Sequence, residues 1–220
     1  MIGIVGSMTL EVERLRGLLE RPEERVLAGL TFTSGLLCGR EVTVAPCGVG
    51  KTNAAMYTQL LLTHYPVEAV LLLGVAGGIA PGLRRLTPVI ADRLCFHDVA
   101  DTTLTTCWPY LTELRPDARL RGLLLEAAGP DAVCGTILTG DRFIRSSAER
   151  EALYARFGAL CVEMEGAAVG HVCTLNGVPF AVLRCLSDLA DDGAHEDYEQ
   201  FKQQVADQAA AILMRALPRI

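Results

Sequence analysis

Along most of the chain a short run of apolar, β-favouring residues gives way to a glycine or polar turn and then to a helical period. Residues 2–5 predict a strand that ends at Gly6-Ser7 and leads into Leu10, Val12, Leu15, Leu18 and Leu19, spaced for one helix face. Residues 41–45 predict a second strand, ending in Cys47-Gly48-Val49-Gly50. A helix follows from about Lys51 to His64 and is closed by Pro66. Residues 69–73 predict a strand that stops at a glycine loop over 74–78, and residues 89–96 and 132–138 predict two more. Ser146 and Glu149 have capping-box spacing and open a helix to about Phe157. A helical period covers 163–175 and stops at Asn176-Gly177. Residues 179–186 predict an apolar strand ending in Ser187-Asp188, and residues 198–217 a long amphipathic helix.

Strands that alternate with helices, each strand nearly all apolar, indicate an α/β fold with a sheet covered on both faces. No break in composition divides residues 1–220, so a single domain is expected. The least regular segment, 98–116, predicts a loop that crosses to a partner or frames a site.

Composition narrows the function classes. Half of the 220 residues are apolar, enough for one core that buries about 70% of the unfolded chain's surface without metal or disulfide. The net charge of −6 and the lack of a basic stripe argue against nucleic acid and anionic membrane as partners. Eight dispersed cysteines without a Cys-x-x-Cys pair read as buried free thiols of a reducing compartment. His64, His97, His171 and His195 are not spaced to bind a metal. No basic residue precedes the apolar residues 2–6, and Glu11 and Glu13 interrupt any export signal. The longest apolar stretch, 69–80, falls short of the ~20 residues that span a bilayer. A cytoplasmic location is expected.

Four segments carry candidate chemistry. Gly48-Val49-Gly50-Lys51-Thr52 follows a strand and opens a helix, as a phosphate-binding loop does. Ala45 stands where that motif needs its first glycine, and no apolar run ending in an acidic pair follows. A tight turn lining a pocket is the better reading. Gly74 to Gly78 lacks dinucleotide spacing, and its glycines admit either a close ligand or a sharp turn. Glu163 and Glu165, two apart on a predicted helix, point to nearly opposite sides and read in isolation as a solvated pair. Arg184 and Asp188, at the end of an apolar strand, could pair with each other. A charge inside a buried strand is costly without a purpose, which favours a site there.

Taken in order, these segments resemble the nucleoside phosphorylase and hydrolase superfamily, and within it the 5′-methylthioadenosine/S-adenosylhomocysteine nucleosidases. The resemblance runs nearly end to end. It rests on Ile2 to Met8 with Glu11, Gly48 to Lys51, Gly74 to Gly78, Thr139 to Ile144, Val162 to Glu165 and Arg184 to Asp191. It implies a twisted mixed central sheet flanked by helices, a homodimer, and no cofactor or metal.

The resemblance also assigns roles. Asp188 becomes the general acid that protonates adenine at N7, with Ser187 orienting it, and Glu11 and Arg184 hold the attacking water. Glu165 accepts hydrogen bonds from the ribose hydroxyls, with Met164 under the sugar and Glu163 and Val75 beside it. Phe143 stacks on adenine and the Ile144 backbone reads its edge. Met8, Val49 and Tyr198 close around the sugar and the 5′ group. Breaking an N-glycosidic bond needs charge stabilisation at the sugar and a proton for the base, a division of labour that suits Glu11 and Asp188.

Three positions depart from the family. Val75 stands where Ser or Thr is common. The aromatic-rich segment after His97-Asp98 is replaced by residues 99–116, with Trp108 and Tyr110 as its aromatics. Asp101 precedes Thr102 where relatives are apolar. These changes touch the sugar and 5′ end, so a futalosine or aminodeoxyfutalosine hydrolase stands as an alternative, as does a non-catalytic nucleoside-binding relative. A phosphorylase is disfavoured because Glu11 would repel phosphate.

Overall fold

The computed structural model describes residues 1–220. Its elements follow in the order β1 (Ile2–Gly6), α1 (Thr9–Gly17), β2 (Glu20–Leu27), β3 (Leu30–Leu37), β4 (Arg40–Pro46) and α2 (Lys51–His64). Then come β5 (Ala69–Gly78), β6 (Pro88–Phe96), α3 (Asp101–Thr106), α4 (Ala118–Ala128), β7 (Val133–Thr139) and α5 (Ser147–Phe157). The last are β8 (Cys161–Glu163), α6 (Gly166–Asn176), β9 (Phe180–Asp188) and α7 (Ala194–Ala216).

The nine strands form one mixed sheet in the order β2-β3-β4-β1-β5-β8-β7-β6-β9, and β9 also pairs with β5. Strands β5, β8, β7, β6 and β9 therefore close on themselves, while β1 to β4 extend the sheet on one side. The central strand β9 is buried at every residue, as a strand covered on both faces must be. One core packs against α1, α4 and α7, and a second against α2 and α6. The expected α/β domain is present.

Local signals explain the boundaries. Gly50 (φ 92°) turns the chain into α2, and the left-handed Gly177 (φ 66°) ends α6. Asp117 caps α4 by accepting the Leu120 N–H at 2.9 Å. Helix α5 starts after Ser146, but the predicted capping box does not form. The Ser146 side chain caps nothing, and Glu149 pairs with Arg142 instead.

Several expectations are corrected. Residues 74–78 form no loop; they continue β5 and pair with β9 and β8. Residues 163–165 are not helical, because β8 ends at Glu163 and α6 starts at Gly166. Segment 98–116 is not wholly a loop: it holds α3, and Leu114 is buried in a bridge with Leu94. All eight cysteines are free, but only Cys47, Cys161, Cys173 and Cys185 are buried, while Cys38, Cys107 and Cys134 are exposed. No helix is long and apolar enough to cross a membrane.

Candidate active site

The carboxyl ends of β1, β5, β8 and β9 meet the turn before α2 and the loop after β7 at a cavity of about 490 Å³. Ligands of open α/β sheets bind at such strand ends. Met8, Val49 and Val75 line it, as do Phe143, Ile144 and Met164. Its polar lining includes Glu163, Glu165, Ser187, Asp188 and Tyr198. Eleven of the thirteen site residues expected from sequence thus share one cavity. Glu11 and Arg184 are fully buried beside it, behind Ser7, Met8 and Val75.

Glu11 is held from both oxygens. Ser7 Oγ donates to Oε2 at 2.8 Å and the Met8 N–H at 2.9 Å, while the Val75 N–H reaches Oε1 at 3.0 Å. Val75 contributes through its backbone, so the missing hydroxyl leaves this bond intact. Gly74 is required here: a β-carbon on it would overlap both Glu11 Oε1 and Arg184 Nη1. Ser7 has no role in the family reading, and its hydroxyl directly after the buried strand β1 is the sequence signal that marks it.

Arg184 does not pair with Asp188. Four residues along a strand separate them by about 13 Å. Its Nη2 instead meets Glu163 Oε2 and Glu165 Oε2, the latter at 3.1 Å, and Nη1 lies 3.9 Å from Glu11 Oε1. Arg184 Nε and Nη1 hydrogen-bond no protein atom. Burial opposes the guanidinium charge, but Glu163, Glu165 and Glu11 outweigh it and keep the group cationic.

Nor are Glu163 and Glu165 a solvated pair. Both are buried, because the turn between β8 and α6 points the two carboxylates at one guanidinium. Glu165 Oε1 also accepts the Gly50 N–H at 2.9 Å. Burial, opposed by Arg184 and reinforced by Glu163 and Glu11, raises the Glu165 pKa to about 7.

Asp188 is buried and accepts Ser187 Oγ at 2.8 Å and the Ala190 N–H at 2.9 Å. Burial raises its pKa against those two bonds, which favour the anion. Ser187 Oγ also lies 3.4 Å from the Ala76 carbonyl, so its proton has a second acceptor when Asp188 carries one. Phe143 meets Tyr198 edge-on with ring centroids 5.7 Å apart, and Tyr198 Oη lies 3.2 Å from Met8 Sδ. Arg142, Arg145 and His195 also line the cavity and were not singled out from sequence. Lys51 Nζ sits 2.7 Å from Asp98 and 3.3 Å from Asp141. The lysine of the phosphate-loop-like turn is thus engaged by carboxylates. No group of three or more His, Cys, Asp or Glu side chains is arranged to hold a metal ion.

A buried acid and a carboxylate triad around one arginine, at the strand ends of a mixed sheet, define an enzyme-like acid–base site. The family model of the phosphorylase superfamily matches residues 1–218, and the chain belongs to that superfamily. Among its relatives, the 5′-methylthioadenosine/S-adenosylhomocysteine nucleosidase of Geobacillus kaustophilus is 38% identical over 223 residues, covering 97% of this chain and 95% of that protein. The Halalkalibacterium halodurans protein of the same name is 34% identical over 227 residues, covering 100% and 98%. The Neisseria meningitidis nucleosidase of that name, solved with methylthio-immucillin-A, superposes with a TM-score of 0.94 at 29% identity, covering 100% of this chain and 99% of that one.

Proposed function

We propose that this chain hydrolyses the N-glycosidic bond of 5′-methylthioadenosine and S-adenosylhomocysteine and releases adenine. The observation that carries hydrolysis rather than phosphorolysis is the anionic cluster beside the cavity. Glu11, Glu163 and Glu165 surround Arg184, the one cation among them, so a phosphate dianion would meet three carboxylates. A neutral water meets no such repulsion.

In this reading Asp188 gives its proton to N7 of the purine as the N9–C1′ bond breaks and the bonding electrons pass to the base. Positive charge develops on the sugar, where the carboxylates of Glu11 and Glu165 stabilise it. Water held between Glu11 and Nη1 of Arg184 attacks C1′ and yields a proton to Glu11. The two lone-pair positions that Glu165 keeps free accept the ribose hydroxyls. Phe143 stacks on the base and the Ile144 backbone reads its edge. Met164 packs under the sugar, and Met8, Val49 and Tyr198 enclose the 5′ side.

The same reading treats residues 1–220 as one functional domain, working as a homodimer in the cytoplasm on by-products of S-adenosylmethionine. It requires no cofactor and no nucleic-acid partner. Free thiols are consistent with a reducing compartment. The test offers methylthioadenosine, S-adenosylhomocysteine and aminodeoxyfutalosine in parallel, with and without phosphate, and follows free adenine. Phosphate-independent release from the first two is expected. Release that requires phosphate, cleavage confined to aminodeoxyfutalosine, or binding without cleavage would each overturn the proposal.

A further inference from the structure

We propose that Glu163 is a positioning residue and not a substrate ligand: its carboxylate clamps the Arg184 guanidinium, the Thr139 hydroxyl and the start of α6, and so sets where Arg184 and Glu165 stand. The inference rests on the hydrolase reading above.

The geometry separates the two neighbouring glutamates. Glu163 Oε2 accepts the Glu165 N–H at 3.0 Å, the Gly166 N–H at 2.7 Å and Arg184 Nη2, while Oε1 accepts the Thr139 hydroxyl. An ionised carboxylate offers about four lone-pair sites, two on each oxygen. Three donors crowd Oε2 and the Thr139 hydroxyl takes one site on Oε1, so Glu163 keeps at most one site, too few for two ribose hydroxyls, although it borders the cavity. Glu165 has two protein donors, Gly50 N–H and Arg184 Nη2, and keeps two sites for a ligand. The carboxylate that faces substrate is therefore the second of the pair, and the first holds it in place.

The clamp joins four elements. Thr139 ends β7, Glu163 ends β8, Arg184 lies in β9, and α6 begins at Gly166. Thr139 Oγ1 also accepts the Ala167 N–H at 2.8 Å. Glu163 and Thr139 together thus take the first N–H groups at the amino end of α6, which have no partner inside the helix. A shift of the clamp would move the Glu165 backbone and the Arg184 side chain together. An error of about 1 Å in such a position is worth about a hundredfold in rate.

Glu163→Gln tests this with little change of shape. Its amide oxygen can serve the three N–H donors, but its NH2 group then faces Thr139 and leaves the threonine proton without an acceptor. Adenine release by the wild type is measured first, and its absence would defeat the hydrolase reading and not the clamp. With wild-type activity in hand, Glu163→Gln should lower kcat roughly 10- to 100-fold while KM for methylthioadenosine stays within about threefold. Adenine binding by calorimetry should be unchanged, since Asp188 and Phe143 lie outside the clamp. Thr139→Val should show a smaller loss of the same kind, with Thr139→Ser restoring activity. A rise in KM with kcat preserved would make Glu163 a ligand and overturn the proposal. Unchanged kinetics would overturn it too. Should Glu163→Gln lose adenine binding, Thr139→Val decides: a fall in kcat at constant KM supports the clamp, and wild-type kinetics refute it.

Discussion

Glu165 and Gly50, 115 residues apart in sequence, meet through a 2.9 Å hydrogen bond from the Gly50 N–H to Glu165 Oε1. The contact places a carboxylate at the amino end of α2, where the helix dipole favours negative charge. It also requires Gly50 to hold φ 92°, in the region that side chains avoid, with Asp141 Oδ1 only 3.3 Å from where a β-carbon would sit. Gly50→Ala should cost about 1–3 kcal/mol. Thermal unfolding should register this as a fall of roughly 2–4 °C per kcal/mol for a chain of this size. The kcat/KM for methylthioadenosine should fall with it. An unchanged Tm and kcat/KM would mean that neither the conformation nor the bond matters.

The raised pKa of Glu165 predicts an acid limb in the activity profile. The groups facing it are Arg184, Glu163, Glu11 and the Gly50 N–H, and burial with the two carboxylates outweighs the arginine to bring it to about 7. A raised carboxyl pKa means that the ionised, hydroxyl-accepting form is lost as pH falls through 7. Below that value kcat/KM should drop by up to tenfold per pH unit. Glu165→Gln should abolish this limb and hurt the ribo substrate much more than its 2′-deoxy counterpart. Equal losses on both sugars would count against a hydroxyl contact.

Asp188→Asn keeps the outline of the side chain and removes the transferable proton. Adenine release should fall ~100-fold or more, the scale of a general acid, while adenine or a substrate analogue still binds. A stopped assay for free adenine alongside calorimetric titration reads both quantities. A variant that keeps more than a tenth of wild-type turnover would remove Asp188 from the acid's role.

What was legible in the sequence follows the strength of local pattern. Helix α2 and strands β1, β4, β6, β7 and β9 were readable because their apolar runs are bounded by glycine, proline or polar turns. Strand β2 was not, because Glu20–Leu27 is an exposed edge strand rich in charge, which blunts strand pairing and erases the apolar alternation. Residues 74–78 looked like a loop because glycine has low strand propensity. Here Gly74 and Gly77 stay in β5 to let Glu11, Arg184 and Asp188 approach its backbone. The site residues were legible from motif order, but the pairing of Arg184 with Glu163 and Glu165 was not. It depends on a turn between β8 and α6 that the helical period concealed.

Segment 98–116 carries the last prediction. Its large apolar side chains include Leu104, Trp108, Tyr110, Leu111 and Leu114. Leu114 is buried and Leu111 packs on the core, so the chain accounts for part of that cluster itself. Trp108 remains 74% exposed and Tyr110 61%, two large rings two positions apart in the chain and mostly uncovered in the protomer. Exposed aromatic surface of this kind marks association, and two-fold symmetry is its commonest form. Because Trp108 makes little contact within its own chain, Trp108→Ala should leave protomer stability within about 0.5 kcal/mol. Any effect on assembly is then separable from an effect on folding. The variant should dissociate at higher protein concentration in sedimentation equilibrium. It should also raise KM for substrates with long 5′ groups more than for adenosine, as expected if the segment borders a neighbour's 5′ side. A dilute wild-type sample that sediments as a fully active monomer would defeat the homodimer and, with it, any role of Trp108 in the pocket.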